Sequence, residues 1–277
     1  MVNEITMKIL NLILRYFKKT PKQKSTERKF GWKKDLHDLR DFRYKVSAPT
    51  APRILPPLVD LRASSPPVYD QGNLGSCTGN ALASAFQFEQ MKQNKPNWIP
   101  SRLFIYFNER EMEGTINEDA GAMIRDGIKT MVDKGVCPET MWQYIESKFA
   151  KKPCQQCYDE AMKNQVLEYL RISPHTLYEV KHCLADGYPV AFGFMIFESF
   201  MVDNVTQTGI ATMPLPSEQP IGGHAVLAVG YDDSKQALIV RNSWGTEWGM
   251  NGYFYLPYGF VTEPNLSADY WTIRVVE

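Results

Sequence analysis

A cysteine, a histidine and an asparagine, far apart in the chain, sit in settings that suit acyl-transfer chemistry. The loop from Tyr69 to Ser76 carries Gln71, Gly72 and Gly75, and Cys77 follows it directly. The next run holds alanines at positions 81, 83 and 85 and is apolar on nearly every side. This predicts a buried helix, with Ser76 able to cap it. Cys77 then lies in the first turn, where free N–H groups and the positive dipole end favour a thiolate. A lone cysteine ahead of a buried helix is more often a small core residue, so two later segments decide the reading. His224 heads the apolar run Ala225–Tyr231, and Asn242 follows the run Ala237–Val240. A thiol nucleophile, an imidazole base and an amide that orients the ring form one variant of the catalytic triad.

These three residues need elements to hold them. Pro100–Phe107 reads as helical, as does Ala122–Lys134, where Ile124, Ile128, Met131 and Val132 recur at helical spacing before Gly135. Thr176 and Glu179 form a capping box that opens a short helix ending at Gly187. Strands dominate beyond it, at Pro189–Ile196, His224–Tyr231, Ala237–Arg241, Gly252–Leu256 and Tyr270–Val276, with Asp232–Ser234 as a turn. Helices first and strands later give an α+β fold of two lobes, helical over about 60–170 and strand-rich over about 171–277. Cys77 falls on the first lobe and His224 and Asn242 on the second, so the site is expected in a cleft between them.

From about Leu55 to the C-terminus the chain resembles the papain family of cysteine peptidases, the group that includes the cathepsins. The resemblance rests on Gln71-Gly72 ahead of Cys77, on His224 in a Gly-His-Ala-Val setting, and on Asn242-Ser243-Trp244-Gly245. His224 lies 147 residues after Cys77, near the family range, while Asn242, at 165, lies beyond it. Insertions in surface loops account for the excess. Two departures stand out: Thr78 replaces the aromatic residue that usually follows the nucleophile, and Leu74 replaces a common disulfide cysteine. With the N-terminal pattern, these look like a bacterial or large-DNA-virus branch, such as a viral cathepsin B-like proprotein.

The resemblance implies a papain-like fold with a helical left lobe and a β-barrel-like right lobe. It implies Cys77 as nucleophile, His224 as general base and Asn242 as the residue that fixes the ring. Gln71 would hold the oxyanion, and Trp244 would shield the His224–Asn242 hydrogen bond. Gly121 would pair with substrate backbone, or merely open a helix. Gly223 is a second candidate substrate contact. Trimming of dipeptides from the C-terminus needs a histidine-bearing loop over the cleft; none is visible between Cys77 and His224, which favours endopeptidase activity. Two alternatives stay open: a ligase or aminopeptidase on the same site, and a non-catalytic binding relative.

Charge is unevenly divided. Residues 1–50 hold 13 Lys and Arg against 5 acids, and the remainder holds 18 against 26. A basic arm ahead of an acidic body is expected to dock by attraction. The resemblance implies an inhibitory proregion over 1–53 and a peptidase domain over 54–277. Within the arm, Gly31–Tyr44 mixes aromatics with alternating charge and is expected to lie in or beside the cleft. The four prolines between Ser47 and Pro57 offer an extended, cleavable joint. Acid is expected to loosen the arm by protonating the body's carboxylates. Residues 5–17 are apolar, but Glu4, Asn11 and Arg15 spoil a secretory leader. The stretch is too short to span a bilayer, and an amphipathic helix of the arm is preferred to membrane contact. The sequence assigns no compartment.

Cys154 and Cys157 have metal-like spacing, yet no second pair at finger spacing exists, so a local disulfide or two thiols is favoured. The pairing of Cys137, Cys154, Cys157 and Cys183 is left open. His37, His175 and His182 lack the setting of His224 and read as surface or packing residues. Asn204-Val205-Thr206 and Asn265-Leu266-Ser267 are sequons, meaningful only for a secreted chain. No cofactor, metal or nucleic-acid partner is expected; the expected partners are peptide or protein substrates and the chain's own arm.

Overall fold

The helix that starts at Cys77 is surrounded by the rest of the molecule. It spans Cys77–Lys92 (α1), and every residue from Cys77 to Gln90 is buried. The apolar character on all sides has that cause: no face of the helix meets water. The computed structural model describes residues 28–36, 38–45, 54–173 and 177–277. The apolar stretch 5–17, His37, the linker 46–53, His175 and the capping residue Thr176 lie outside the described residues.

Three more helices pack beside α1 or near it: Arg102–Met112 (α2), Ile124–Asp133 (α3) and Gln155–Ala161 (α4). Ser101 caps α2, its side chain accepting from the Phe104 amide. The helix expected from Ala122 begins two residues later. Ala122–Met123 (β3) instead pairs in parallel with Trp32–Lys33 (β1) of the arm. Leu177–Ala185 (α5), Asp203–Thr208 (α6) and Gly259–Thr262 (α7) complete the described helices, none long and apolar enough to cross a membrane.

The second lobe is a seven-stranded antiparallel sheet. Its strands are Leu58–Asp60 (β2), Val166–Arg171 (β4), Val190–Phe197 (β5), Pro220–Asp232 (β6), Ala237–Arg241 (β7), Tyr253–Pro257 (β8) and Ser267–Val276 (β9). The order is β4-β9-β5-β6-β7-β8, with β2 added to β6. The end strands β4 and β8 do not pair, so this barrel-like lobe is an open sheet rather than a closed barrel. Strands β2 and β4 had no counterpart in the sequence reading, and β4 takes the last residues expected in the helical lobe. Their alternation is blurred: β4 runs from one buried residue to exposed and half-buried ones.

Both faces of the central strands are covered, which explains their unbroken apolar runs. On β6, Ala225, Leu227 and Val229 pack with Leu82, Phe86, Ile128 and Met131 of the helical lobe. Val226 and Ala228 face the other way, onto Phe192, Phe194, Val240 and Phe254. A two-residue period on one strand thus joins both cores. The Asp232–Ser234 turn is closed by the Asp232 carboxylate, which accepts from the Ser234 amide at 2.9 Å.

Candidate active site

Cys77 opens α1 without the expected side-chain cap. The Ser76 hydroxyl is engaged elsewhere, 2.5 Å from the Tyr144 hydroxyl and 3.1 Å from the Asn80 amide nitrogen. The thiol is fully buried, and the nearby backbone amides of Ala225, Gly31 and Thr78 favour its charged form. Burial pushes the thiol up to about 11, the opposite of the depression expected at a helix tip. The water removed from the sulfur outweighs the amide donors.

His224 lies on β6, immediately before Ala225, whose amide lies near the sulfur. Its Nε2 is 2.8 Å from Asn242 Oδ1, an oxygen that also accepts the Ser243 amide at 2.8 Å. Because that oxygen can only accept, Nε2 carries the ring proton. Nδ1 is buried with no hydrogen-bond partner among the described residues. Burial pulls the imidazole down to about 4, helped by the nearby Arg28 cation and opposed by the Asn242 hydrogen bond. Trp244 stacks on the ring at 4.8 Å and 27°. Asn242 is placed by its amide, which donates to the Gly252 carbonyl at 2.9 Å just beyond β7.

Gln71 sits on the loop before α1. Its Nε2 donates to the Leu74 carbonyl at 2.9 Å and to the Lys29 carbonyl at 3.2 Å. Backbone bonds from Gln71 to Ser243 (2.8 Å) and from Gly245 to Tyr69 (3.0 Å) strap this loop to the Asn242 loop. The cleft floor is therefore stitched from both lobes.

The arm occupies the cleft. Arg28 pairs with Asp70 at 2.7 Å and reaches the Trp244 carbonyl at 3.2 Å. Phe30 packs edge-on to His224 with centroids 6.4 Å apart. The Gly31 carbonyl accepts from Ala122 at 2.7 Å. Gly121, at φ +70°, lies so close that a β-carbon there would meet the Gly31 oxygen at 2.0 Å. Trp32 lies over Gly193 and Gly223 and donates to Asp269 at 3.2 Å. Both candidate substrate glycines thus touch the arm. Beside Trp32, a cavity of about 460 Å³ is lined by Met195, Ile221, Pro264, Asn265 and Ala268.

The rest of the arm is tied down by charge. Asp35 is buried; its amide donates to Asp269 at 2.7 Å, and its carboxylate accepts from Trp271 at 2.8 Å and from the Arg125 amide at 3.1 Å. Asp41 bridges Arg125 (2.9 Å) and Arg171 (2.7 Å). Burial and the neighbouring Asp269 raise Asp35 to about 7. For this one group, acid therefore favours the docked arm. Tyr44 lies 2.9 Å from His182 Nδ1, which makes that histidine a packing residue under the arm.

Asp269, and Asp119, which pairs with Lys29 of the arm at 2.9 Å, were not singled out from sequence, and Ser243 was read only as part of the Asn242–Gly245 motif. Nothing in their local settings marks an acid or a serine as facing a cleft formed by distant segments. The sulfurs of Cys154 and Cys157 lie 3.2 Å apart, unbonded. Among the described residues no cluster suited to a metal ion occurs.

The sequence matches the family described as Papain family cysteine protease over residues 55–269. It is 44% identical over 272 residues to an uncharacterized peptidase C1-like protein of Acanthamoeba polyphaga mimivirus, covering 90% of this chain and 88% of that one. It is 36% identical to pro-cathepsin H of Medicago truncatula, but that match covers 69% of this chain and only 53% of the relative. Among solved structures, xylellain, a cysteine protease from Xylella fastidiosa, superposes with a TM-score of 0.82 at 43% identity, covering 90% of this chain and 98% of that one. A digestive procathepsin L from the Tenebrio molitor larval midgut (TM-score 0.65, 18% identity, 90% and 77% covered) shares the fold. The chain belongs to the papain family of cysteine peptidases.

Proposed function

We propose that this hydrolase is an endopeptidase made as a zymogen, acting through Cys77, His224 and Asn242 and held inactive by residues 28–45. The observation that carries this reading is His224 Nδ1. It is a buried lone pair with no hydrogen-bond partner among the described residues, on a ring whose other nitrogen is tied to Asn242, next to Ala225, whose amide lies near the Cys77 sulfur.

With the arm seated, the sulfur and the imidazole are both dehydrated, and both favour their neutral forms. Once the arm leaves, water returns and the thiol proton passes to Nδ1, giving a thiolate–imidazolium pair. The thiolate attacks the scissile carbonyl. His224 protonates the leaving amine and later draws a proton from the water that hydrolyses the thioester. The Gln71 side-chain amide, now occupied by the Lys29 carbonyl, and the Cys77 amide would hold the oxyanion, worth about 3–4 kcal/mol. Trp244 keeps water from the His224–Asn242 bond.

The test is incubation of the purified full chain with a thiol-alkylating epoxide and, separately, alone across pH. Labelling and self-shortening that both vanish in Cys77→Ala are expected. A Cys77→Ala chain that shortens at the same rate would sink the proposal.

A further inference from the structure

We propose that Asp119 makes the cleft select a lysine or arginine on the substrate residue whose carbonyl enters the Gln71 site. This rests on the peptidase reading above. Lys29 supplies the geometry. Its carbonyl takes the Gln71 amide at 3.2 Å, and its ammonium lies 2.9 Å from Asp119 Oδ2. One residue thus bridges the oxyanion donor and a carboxylate on the adjoining wall.

Asp119 belongs to that wall whether or not the arm is seated. Its Oδ1 accepts from the Tyr106 hydroxyl at 2.6 Å, and the Gly75 amide donates to both oxygens at 3.0 and 3.1 Å. The Tyr106 hydroxyl in turn accepts from Gly121 at 3.1 Å. The carboxylate is therefore fixed to the nucleophile loop on one side and to the Gly121 strand on the other.

Those body donors are neutral. Arg110 lies within electrostatic range, but its guanidinium is engaged by the carbonyls of Tyr106, Ile116, Glu118 and Phe149. Among the described residues, the cation in direct contact with Asp119 is Lys29, which leaves with the arm. Asp119, 10% exposed with the arm seated, is then a largely buried carboxylate without its cation. Asp70, which Arg28 meets, is 53% exposed and far better screened by solvent. The arm pairs in parallel with β3, and a substrate need not share that direction. The flexible four-carbon stem of lysine spans from the carbonyl site to the carboxylate in either sense.

The experiment uses fluorogenic peptides that differ only in the residue before the reporter amide: lysine, arginine, norleucine, glutamine or glutamate. They are assayed on the full chain and on full chain carrying Gly31→Ala, which loosens the arm. Lysine and arginine should exceed norleucine in kcat/KM by about 10- to 100-fold, with glutamate poorest. Asp119→Asn should flatten the series, and Asp119→Glu should keep it. The series on chain with Asp119 intact is decisive even where a variant fails to fold. Equal turnover of lysine and norleucine peptides, with Cys77 still labelled by epoxide, overturns the inference alone. Turnover of none, with Cys77 unlabelled, removes the peptidase reading and this inference together.

Discussion

The Ser243 hydroxyl donates to Gln71 Oε1 at 2.6 Å, across 172 residues of sequence. With its oxygen held there, the Gln71 amide can present only its nitrogen to the cleft. Gln71→Ala should lower kcat by about 10²–10³. Ser243→Ala should cost less, because the Leu74 carbonyl still orients the amide. Both variants should keep epoxide labelling of Cys77. A Gln71→Ala enzyme with unchanged kcat would exclude the oxyanion role.

The Asn242 hydrogen bond supports the charged form of His224. Asn242→Ala should therefore move the alkaline limb of the kcat/KM profile to lower pH, since the imidazolium then loses its proton sooner. A limb that stays in place would show that another group fixes the ring.

Gly31 is the tightest point of the docked arm. A β-carbon there would meet the Gly75 carbonyl oxygen at 1.6 Å, a backbone atom that cannot swing aside. Gly31→Ala should unseat the arm and give full-length chain active before any shortening. The assay is peptide hydrolysis alongside gel analysis, and a silent full-length variant would contradict the blocking role.

Two groups give the arm opposed pH dependences. Asp35 binds its proton more tightly when docked, so its contribution is complete below 3.8 and lost as pH rises through about 7. His224 resists protonation when docked, so its contribution is present above 6.5 and lost as pH falls through about 4. The wild-type response should thus be shallow, and Asp35→Asn should make docking acid-labile. Amide exchange of residues 28–36 at about pH 5 and 8, corrected for intrinsic rates, reads this out. Identical profiles for the two proteins would refute it.

Behind the nucleophile, Glu109 is fully buried, and its carboxyl accepts from Thr78 at 2.6 Å. Burial and the nearby Glu113 and Asp126 push it up to about 8. Its stabilisation is complete below 4.5 and lost as pH rises through about 8. Glu109→Gln should abolish that fall in Tm between about pH 5 and 9. Thr78, which stands where the family usually has an aromatic residue, is the donor to this carboxyl.

The buried helix from Cys77 and the strands β5 to β9 were legible in sequence, as were the residue types and spacing that make Cys77, Gln71, His224 and Asn242 candidates for the proposed chemistry. Each carries a local signature: apolar periodicity, glycine-marked turns, or a motif whose chemistry demands particular residue types. The strands β2 and β4 were not legible, because short elements with blurred alternation carry little local signal. Nor were Asp119, Asp269 and the contact made by Ser243, whose significance comes from what distant segments bring against them.

Sequence alone therefore determined which residues could do the chemistry and which elements carry them. Tertiary structure decided the electrostatic state of the pair. The helix tip favours a thiolate, but sulfur and imidazole are both fully buried, and burial outweighs the dipole. Desolvation depends on everything packed around a group, and no local pattern of residues encodes it.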